Sequence, residues 1–238
     1  MSKKFIVIDV EGMAGQKPYD VGYIVADRYN KIYQSRSFCL FPNLLQNSQA
    51  VNRNSDENCK IMTARNFRAM TQDFENPPEV RKWQVINNTD FKRFFESDVK
   101  EFKVKKVYGF NIKFDRKMIE NIFGVEFEDI SLDWRDIQTA ILQTRLMTRK
   151  YLDFCFNNNF RTPKGFPQTK AETVFRYITN DIEFIEEHTG LSDVLIEYKI
   201  LLSAFKTKKK VDFSAKTPAW KVLNEFAKSI EHPIAVKK

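Results

Sequence analysis

The sequence predicts an α/β protein in which a mixed β-sheet is flanked by helices. Three observations predict it: strand-like segments come first, strand and helix then alternate, and the last part of the chain is helical. No glycine-rich phosphate loop follows the first strand, so neither a dinucleotide-binding nor a P-loop fold is expected. With 238 residues, 42% of them hydrophobic, the chain is long enough for one well-packed domain with an elaboration, or for two small ones.

Five segments are predicted to form the strands of this sheet. The first three, at 4–10, 21–27 and 31–40, are rich in apolar and β-branched residues and are separated by short polar turns. Such spacing is typical of an antiparallel meander. Two further strands are expected at 103–110 and 129–134.

The segment at about 42–101 is predicted to be an insertion of loops and helices after the third strand. Polar residues dominate it up to Asn88, and an amphipathic helix then begins, with Asn88 or Thr89 as its cap. A helix that Gly124 ends follows the fourth strand. The remaining helices are predicted at about 135–147, 149–157, 171–179, 191–205 and 218–230.

Composition narrows the functional classes. No stretch approaches the ~20 unbroken apolar residues of a membrane span, and the start of the chain lacks a secretory signal, so a cytoplasmic protein without membrane contact is expected. Three widely spaced cysteines suggest neither a disulfide framework nor a zinc site. The net charge is +8, and the segment from Lys206 to the end holds nine lysines against three acids. Such a segment is either a solvated surface or a contact for polyanions.

Two carboxylates stand close together where the first strand ends. Asp9 and Glu11 are two residues apart, so they share one face of the strand at roughly 6 to 7 Å along the chain. Two negative charges at that separation repel unless a cation lies between them or one holds a proton. The residues alone leave three interpretations open: a metal site, a proton-sharing dyad and a solvated strand end.

Three more polar residues lie on predicted helices or just before one. Asp115 is three and four residues from Met118 and Ile119, which places it on the buried side of its helix, where it needs a metal or a hydrogen-bond donor. Asp193 lies in the first turn of a late helix, where a carboxylate is stable for dipole reasons alone. His188 precedes that helix in a loop, where a histidine is most often only solvated.

As a set, these residues resemble the three motifs of the DEDDh family of 3′→5′ exonucleases. The motifs are Asp9-x-Glu11 at the end of a first strand, Asn111-x-x-x-Asp115 at the start of a helix, and His188-x-x-x-x-Asp193 before a late helix. The resemblance runs from Lys4 to about Phe205 and leaves 42–101 unmatched. It implies a ribonuclease H-like fold. Gly12 and Phe110 depart from the family pattern, in which threonine and histidine are common.

The resemblance also implies a role for each site residue. Asp9, Glu11, Asp115 and Asp193 would be ligands of two divalent cations, Mg²⁺ or Mn²⁺, with Asp9 bridging both ions, and His188 would be the general base. Such ions take oxygen ligands and promote phosphodiester hydrolysis in pairs about 3.5 to 4 Å apart. The substrate-binding residues would be Gly12, Met13, Asn111 and Phe114.

The expected function is therefore a metal-dependent 3′→5′ exonuclease that acts on single-stranded DNA or RNA. The alternative is a non-catalytic ribonuclease H-like module that binds nucleic acid or a polymerase as a scaffold. The expected domains are an exonuclease domain at 1–205 and a basic helical extension at 206–238. Single-stranded 3′ ends are the expected partner, and a polymerase or other replication protein and a second copy of the chain are further candidates.

Overall fold

The computed structural model describes residues 3–12, 17–51, 57–129, 131–207, 209–214 and 216–234. Contacts divide the chain into two compact units. Unit 1 comprises Met1–Arg135 together with Glu187–Leu195, and unit 2 comprises Asp136–Glu186 together with Ile196–Lys238. All the residues that the sequence predicts to be functional therefore belong to unit 1.

A mixed sheet of six strands organises unit 1, which confirms the predicted α/β class. Its strands are β1 (Phe5–Glu11), β2 (Asp20–Ala26), β3 (Ile32–Leu40), β4 (Gln84–Ile86), β5 (Lys106–Gly109) and β6 (Asp133–Asp136), in the order β4-β3-β2-β1-β5-β6. β2 pairs antiparallel with both β1 and β3, as the predicted meander requires. β5 pairs parallel with β1, and β4 pairs parallel with β3.

The prediction of five strands was wrong, because β4 lies inside the segment expected to hold only loops and helices. β4 has three residues, Gln84–Ile86, and two of them are exposed. A strand this short shows neither the alternation nor the length by which a strand is recognised in sequence. β6 also begins later than predicted, at Asp133.

Four helices belong wholly to unit 1: α1 (Phe41–Val51), α2 (Glu57–Phe74), α3 (Asn88–Glu101) and α4 (Lys113–Phe123). The cap of α3 is Asn87, whose side-chain oxygen accepts a hydrogen bond from the Asp90 N–H at 2.8 Å, and not Asn88 or Thr89 as expected. Gly124 ends α4 with φ of 63°, which confirms the predicted boundary.

A hydrophobic core joins one face of the sheet to α3 and α4. Alternate residues of β1, namely Ile6, Ile8 and Val10, are buried in it. Because side chains alternate along a strand, Asp9 and Glu11 lie on the opposite face of β1. The core also includes Phe38, Phe91, Phe95, Met118, Ile119, Ile122 and Phe123.

One charged network, with a buried carboxylate and a partly exposed guanidinium, lies between the sheet and α3. Asp98 is 2% exposed and receives two hydrogen bonds of 3.1 Å from the Arg36 guanidinium and one of 2.8 Å from the Tyr23 hydroxyl. Three donors to one carboxylate compensate for much of the cost of removing its charge from water.

The helices of unit 2 follow the predicted order. They are α5 (Ile137–Ile141), α6 (Arg149–Asn157), α7 (Ala171–Thr179), α8 (Gly190–Phe205), whose first residues belong to unit 1, and α9 (Ala219–Ser229). The helix expected at 135–147 is shorter, because Asp136 caps α5 through the Gln138 N–H and a π-helical turn follows.

Two further sequence expectations concern cysteines and membranes. Cys39 and Cys155 are buried free thiols, and burial raises the pKa of each to about 12, so neither is a ready nucleophile. Among the helices of the described residues, none has the length and apolar character needed to cross a bilayer.

Candidate functional site

Three of the predicted site residues lie together in unit 1. Glu11, His188 and Asp193 each offer a ligand atom, and these atoms are all within 4.8 Å of one another. Glu11 is the last residue of β1, His188 lies two residues before α8, and Asp193 is in the first turn of that helix. We call these three residues the acid–histidine cluster.

Asp9 and Asp115 lie outside this cluster. Asp9 is half-buried on the same face of β1 as Glu11. Asp115, in the first turn of α4, is 2% exposed, and its Oδ1 accepts a hydrogen bond from the Val10 N–H at 3.2 Å. Its carboxylate therefore reaches the backbone of β1 between the two acids of that strand. For Asp115 the sequence left two partners open, a metal and a hydrogen-bond donor, and the Val10 N–H is such a donor.

The segment that carries His188 has an uncommon backbone. His188 has φ of 56°, in the left-handed region that residues other than glycine seldom occupy. The next residue, Thr189, accepts the Asp193 N–H through its carbonyl at 3.0 Å, which closes the first turn of α8. Asp193 is 5% exposed, and the positive end of the helix dipole favours a carboxylate there.

Two glycines bring the start of α8 into direct backbone contact with β2. A Cβ on Gly190 would lie 2.5 Å from the Gly22 nitrogen, and a Cβ on Gly22 would overlap the carbonyl carbon of Gly190 and the nitrogen of Leu191. Only glycine at both positions permits this approach. β2 pairs with β1 along its whole length, so the contact also fixes the distance between the start of α8 and Glu11.

Asp20 adds a hydrogen bond to this contact. It is fully buried at the start of β2, opposite Glu11 in the strand pairing, and its Oδ2 accepts the Gly190 N–H at 3.1 Å. Burial raises the pKa of Asp20 to about 7, and the Gly190 N–H and the Trp83 side chain oppose part of that rise.

Sequence reasoning missed Asp20, Gly22 and Gly190. One signal was present for Gly22, because an isolated glycine inside a strand often marks a place where another backbone comes close. No local pattern connects Asp20 with Gly190, which is 170 residues away.

The predicted substrate-binding residues have different surroundings. Gly12 is half-buried, and a Cβ there would lie 3.1 Å from both the Pro18 Cα and the Met118 Cε. Met13 lies outside the described residues. Asn111 is exposed with φ of 61°, so the turn into α4 already requires a residue that tolerates this conformation. Phe114 is 38% exposed, which leaves part of its ring accessible. Their contact with substrate stays a prediction.

The insertion after β3 has a structural role next to this site. Asparagine side chains on α1 donate to backbone carbonyls just before β2: Asn43 to Pro18 at 2.7 Å and Asn47 to Lys17 at 2.9 Å. From α2, Asn66 donates to the Tyr19 hydroxyl at 3.2 Å. The two helices therefore support the chain that packs against Gly12 and leads to Asp20.

The acid–histidine cluster has the donors of a cation site. It combines two carboxylates and an imidazole, a set in which hard oxygen ligands predominate and no thiolate takes part. Two ionised carboxylates at this separation repel by roughly 3 kcal/mol at an effective dielectric constant of about 20. A divalent cation would convert that repulsion into attraction, so these residues fit the ion that the family resemblance implies.

Two comparisons with known proteins found no match. No protein-family model matches the chain, and no curated protein matches it. Any functional conclusion therefore depends on the geometry of the cluster and on the spacing of the motifs.

Proposed function

We propose that the chain is a metal-dependent 3′→5′ exonuclease that hydrolyses single-stranded DNA or RNA and releases nucleoside 5′-monophosphates. The observation that carries this proposal is the acid–histidine cluster, in which Glu11 meets His188 and Asp193 within 4.8 Å although they come from opposite ends of unit 1 in sequence. A sheet in which β1 lies between an antiparallel β2 and a parallel β5 is compatible with a ribonuclease H-like fold.

Each residue of the cluster has a chemical role in this proposal. His188 accepts a proton from the attacking water at an imidazole nitrogen, the role that histidine most often has in general acid–base catalysis. Glu11 and Asp193 would hold a divalent cation, which would neutralise them and stabilise the charge on the scissile phosphate. Asp9 and Asp115 are proposed to complete the ligand set for a second ion.

The left-handed backbone at His188 is compatible with the same assignment. A residue other than glycine in this region costs of order 1–3 kcal/mol, and such residues occur at functional sites; His188 is one of seven described residues other than glycine with a positive φ. α8 begins two residues after His188, at Gly190, and Asp193 lies in its first turn.

The test follows DNA and RNA oligomers labelled at the 5′ end, which report shortening, and oligomers labelled in the 3′-terminal nucleotide, which report the released mononucleotide, with Mg²⁺, with Mn²⁺ and with EDTA. We expect stepwise shortening from the 3′ end that EDTA abolishes. Asp9→Ala, Glu11→Gln and Asp193→Asn should each remove it. Glu120→Gln is a matched acid-to-amide control, since Glu120 lies on the outer side of α4, paired with Arg116 at 3.0 Å, and it should retain activity.

Two results would contradict the proposal. One is cleavage that persists in EDTA or in the Glu11→Gln protein. The other is oligomer binding without any divalent-dependent cleavage, which would favour the non-catalytic scaffold instead.

A further inference from the structure

We propose that Asp20 is a positioning residue, whose carboxylate holds the start of α8 against β2 and so sets the distance of His188 and Asp193 from Glu11. The inference rests on the proposed function, and it assigns to that site a residue that belongs to none of the three motifs. It follows from the position of Asp20 between the two halves of the acid–histidine cluster.

Asp20 is connected to both halves. Within the sheet it stands directly opposite Glu11, with the backbone pairing of β1 and β2 between them. Its Oδ2 accepts the Gly190 N–H at 3.1 Å, two residues after His188 and three before Asp193. One side chain of β2, the strand that pairs with β1 and Glu11, therefore binds the turn that carries the other two residues.

The hydrogen bond matters because the Gly190 N–H has no acceptor within its own helix. The first four N–H groups of an α-helix have no intrahelical partner, and Gly190 is the first residue of α8. In many helices the side chain of the residue before the first turn accepts one of these bonds, from the second or third helical residue. Here a distant strand supplies the acceptor, so the bond that caps the helix also fixes its position.

The contact between Gly22 and Gly190 leaves the start of α8 little freedom to move relative to β2. With backbone against backbone at Gly22 and Gly190, no side chain can adjust between β2 and α8. Loss of the hydrogen bond between Asp20 and Gly190 is therefore expected to displace the start of α8 itself. Carboxylate ligands and bases depend on such support, and loss of a supporting partner typically costs roughly 10–100-fold in metal affinity or activity.

Asp20→Ala and Asp20→Asn separate positioning from stability. Asp27 is the matched control, since it is also a buried aspartate, 3% exposed, and directly follows the other end of β2. Its carboxylate accepts a hydrogen bond from the Tyr29 N–H at 2.8 Å. The measurements are kcat and KM on a single-stranded oligomer with Mg²⁺, Mn²⁺ binding by electron paramagnetic resonance, thermal melting, and amide hydrogen exchange over 188–193.

We expect Asp20→Ala to lower kcat by roughly 10–100-fold with little change in KM, to weaken Mn²⁺ binding and to speed exchange over 188–193. Asp20→Asn should retain most of the wild-type kcat, because an amide oxygen can still accept a hydrogen bond from the Gly190 N–H. Asp27→Ala should melt at a lower temperature than the wild type but keep its kcat and its Mn²⁺ affinity.

The inference is overturned if Asp20→Ala keeps the wild-type kcat and Mn²⁺ affinity, or if Asp27→Ala loses them equally. Should Asp20→Ala fail to fold, Asp20→Ser, whose shorter side chain cannot span the same distance, is measured in its place. Wild-type protein without Mg²⁺-dependent cleavage or Mn²⁺ binding overturns the proposed function. Exchange over 188–193 then decides the positioning role alone, and equal exchange in the wild type and in Asp20→Ala overturns it.

Discussion

Replacing Gly190 with alanine sets two physical effects against each other. Gly190 begins α8 and does not have a positive φ, so alanine fits its backbone, and helix propensity alone would favour the change by up to about 1 kcal/mol. The added Cβ, however, would lie 2.5 Å from the Gly22 nitrogen and 3.1 Å from Oδ1 of Asp20. The two effects have opposite signs, so the measured stability decides between them.

The steric effect should be the larger. Ordinary contact with a Cβ begins at 3.4 Å, so α8 must move by about 0.9 Å to accommodate the methyl group, and the obstructing atom is backbone and cannot rotate away. Overpacking of this kind costs typically 1–3 kcal/mol. A misplacement near 1 Å can also cost about 10²-fold in rate. With the full propensity gain subtracted, we expect Gly190→Ala to be destabilised by up to roughly 2 kcal/mol.

Urea unfolding followed by circular dichroism measures the stability, and mononucleotide release measures the activity. Gly124→Ala is the control, because a Cβ there meets nothing within 4 Å and only the backbone at φ of 63° is strained. It should lose stability but keep its rate. If Gly190→Ala were as stable as the wild type or more so, with full activity, the close packing of β2 against α8 would be refuted.

Three other predictions test residues outside the acid–histidine cluster. Asp98→Ala should cost roughly 1–3 kcal/mol in urea unfolding because it leaves the buried Tyr23 hydroxyl without its acceptor and removes the partner of the partly exposed Arg36 guanidinium, whereas Asp90→Ala, which removes an exposed pair on the same helix, should cost less than about 1 kcal/mol. Burial, reinforced by a neighbouring carboxylate, raises the pKa of Glu186 from 4.5 to about 7, so the folded state retains a proton that the unfolded state releases. The unfolding free energy should therefore fall as the pH rises from about 4.5 to 7, and Glu186→Gln should flatten this slope. Replacing Lys209 and Lys210 by glutamine should reduce the salt dependence of oligomer binding by a slope of about one to two; an unchanged slope would make them solubilising residues only.

The parts of the fold that follow from local periodicity could be predicted. Asp115 shares a helical face with Met118 and Ile119, and all three are buried, because a repeat of 3.6 residues fixes which side chains share a face. Likewise the end of α4 at Gly124 follows from the backbone that glycine alone adopts readily. These features depend on residues within a few positions of each other.

The remaining features depend on contacts that a local pattern does not record. β4 is too short to show alternation, and it is a strand only because β3 pairs with it. The hydrogen bond from Gly190 to Asp20 and those from the asparagines of α1 to the chain before β2 join residues that are far apart in sequence. For the candidate site, the sequence offered Glu11, His188 and Asp193 as a set only through a family resemblance, and their roles stay predictions.

Unit 1 is discontinuous, since it takes Glu187–Leu195 from late in the chain. A ribosome that has translated the message only as far as residue 186 has already made every strand of the sheet and Glu11, but neither His188 nor Asp193. A nascent or prematurely terminated product of that length therefore lacks two of the three members of the cluster. Any reaction that needs all three is withheld from the cell until residue 193 has been translated.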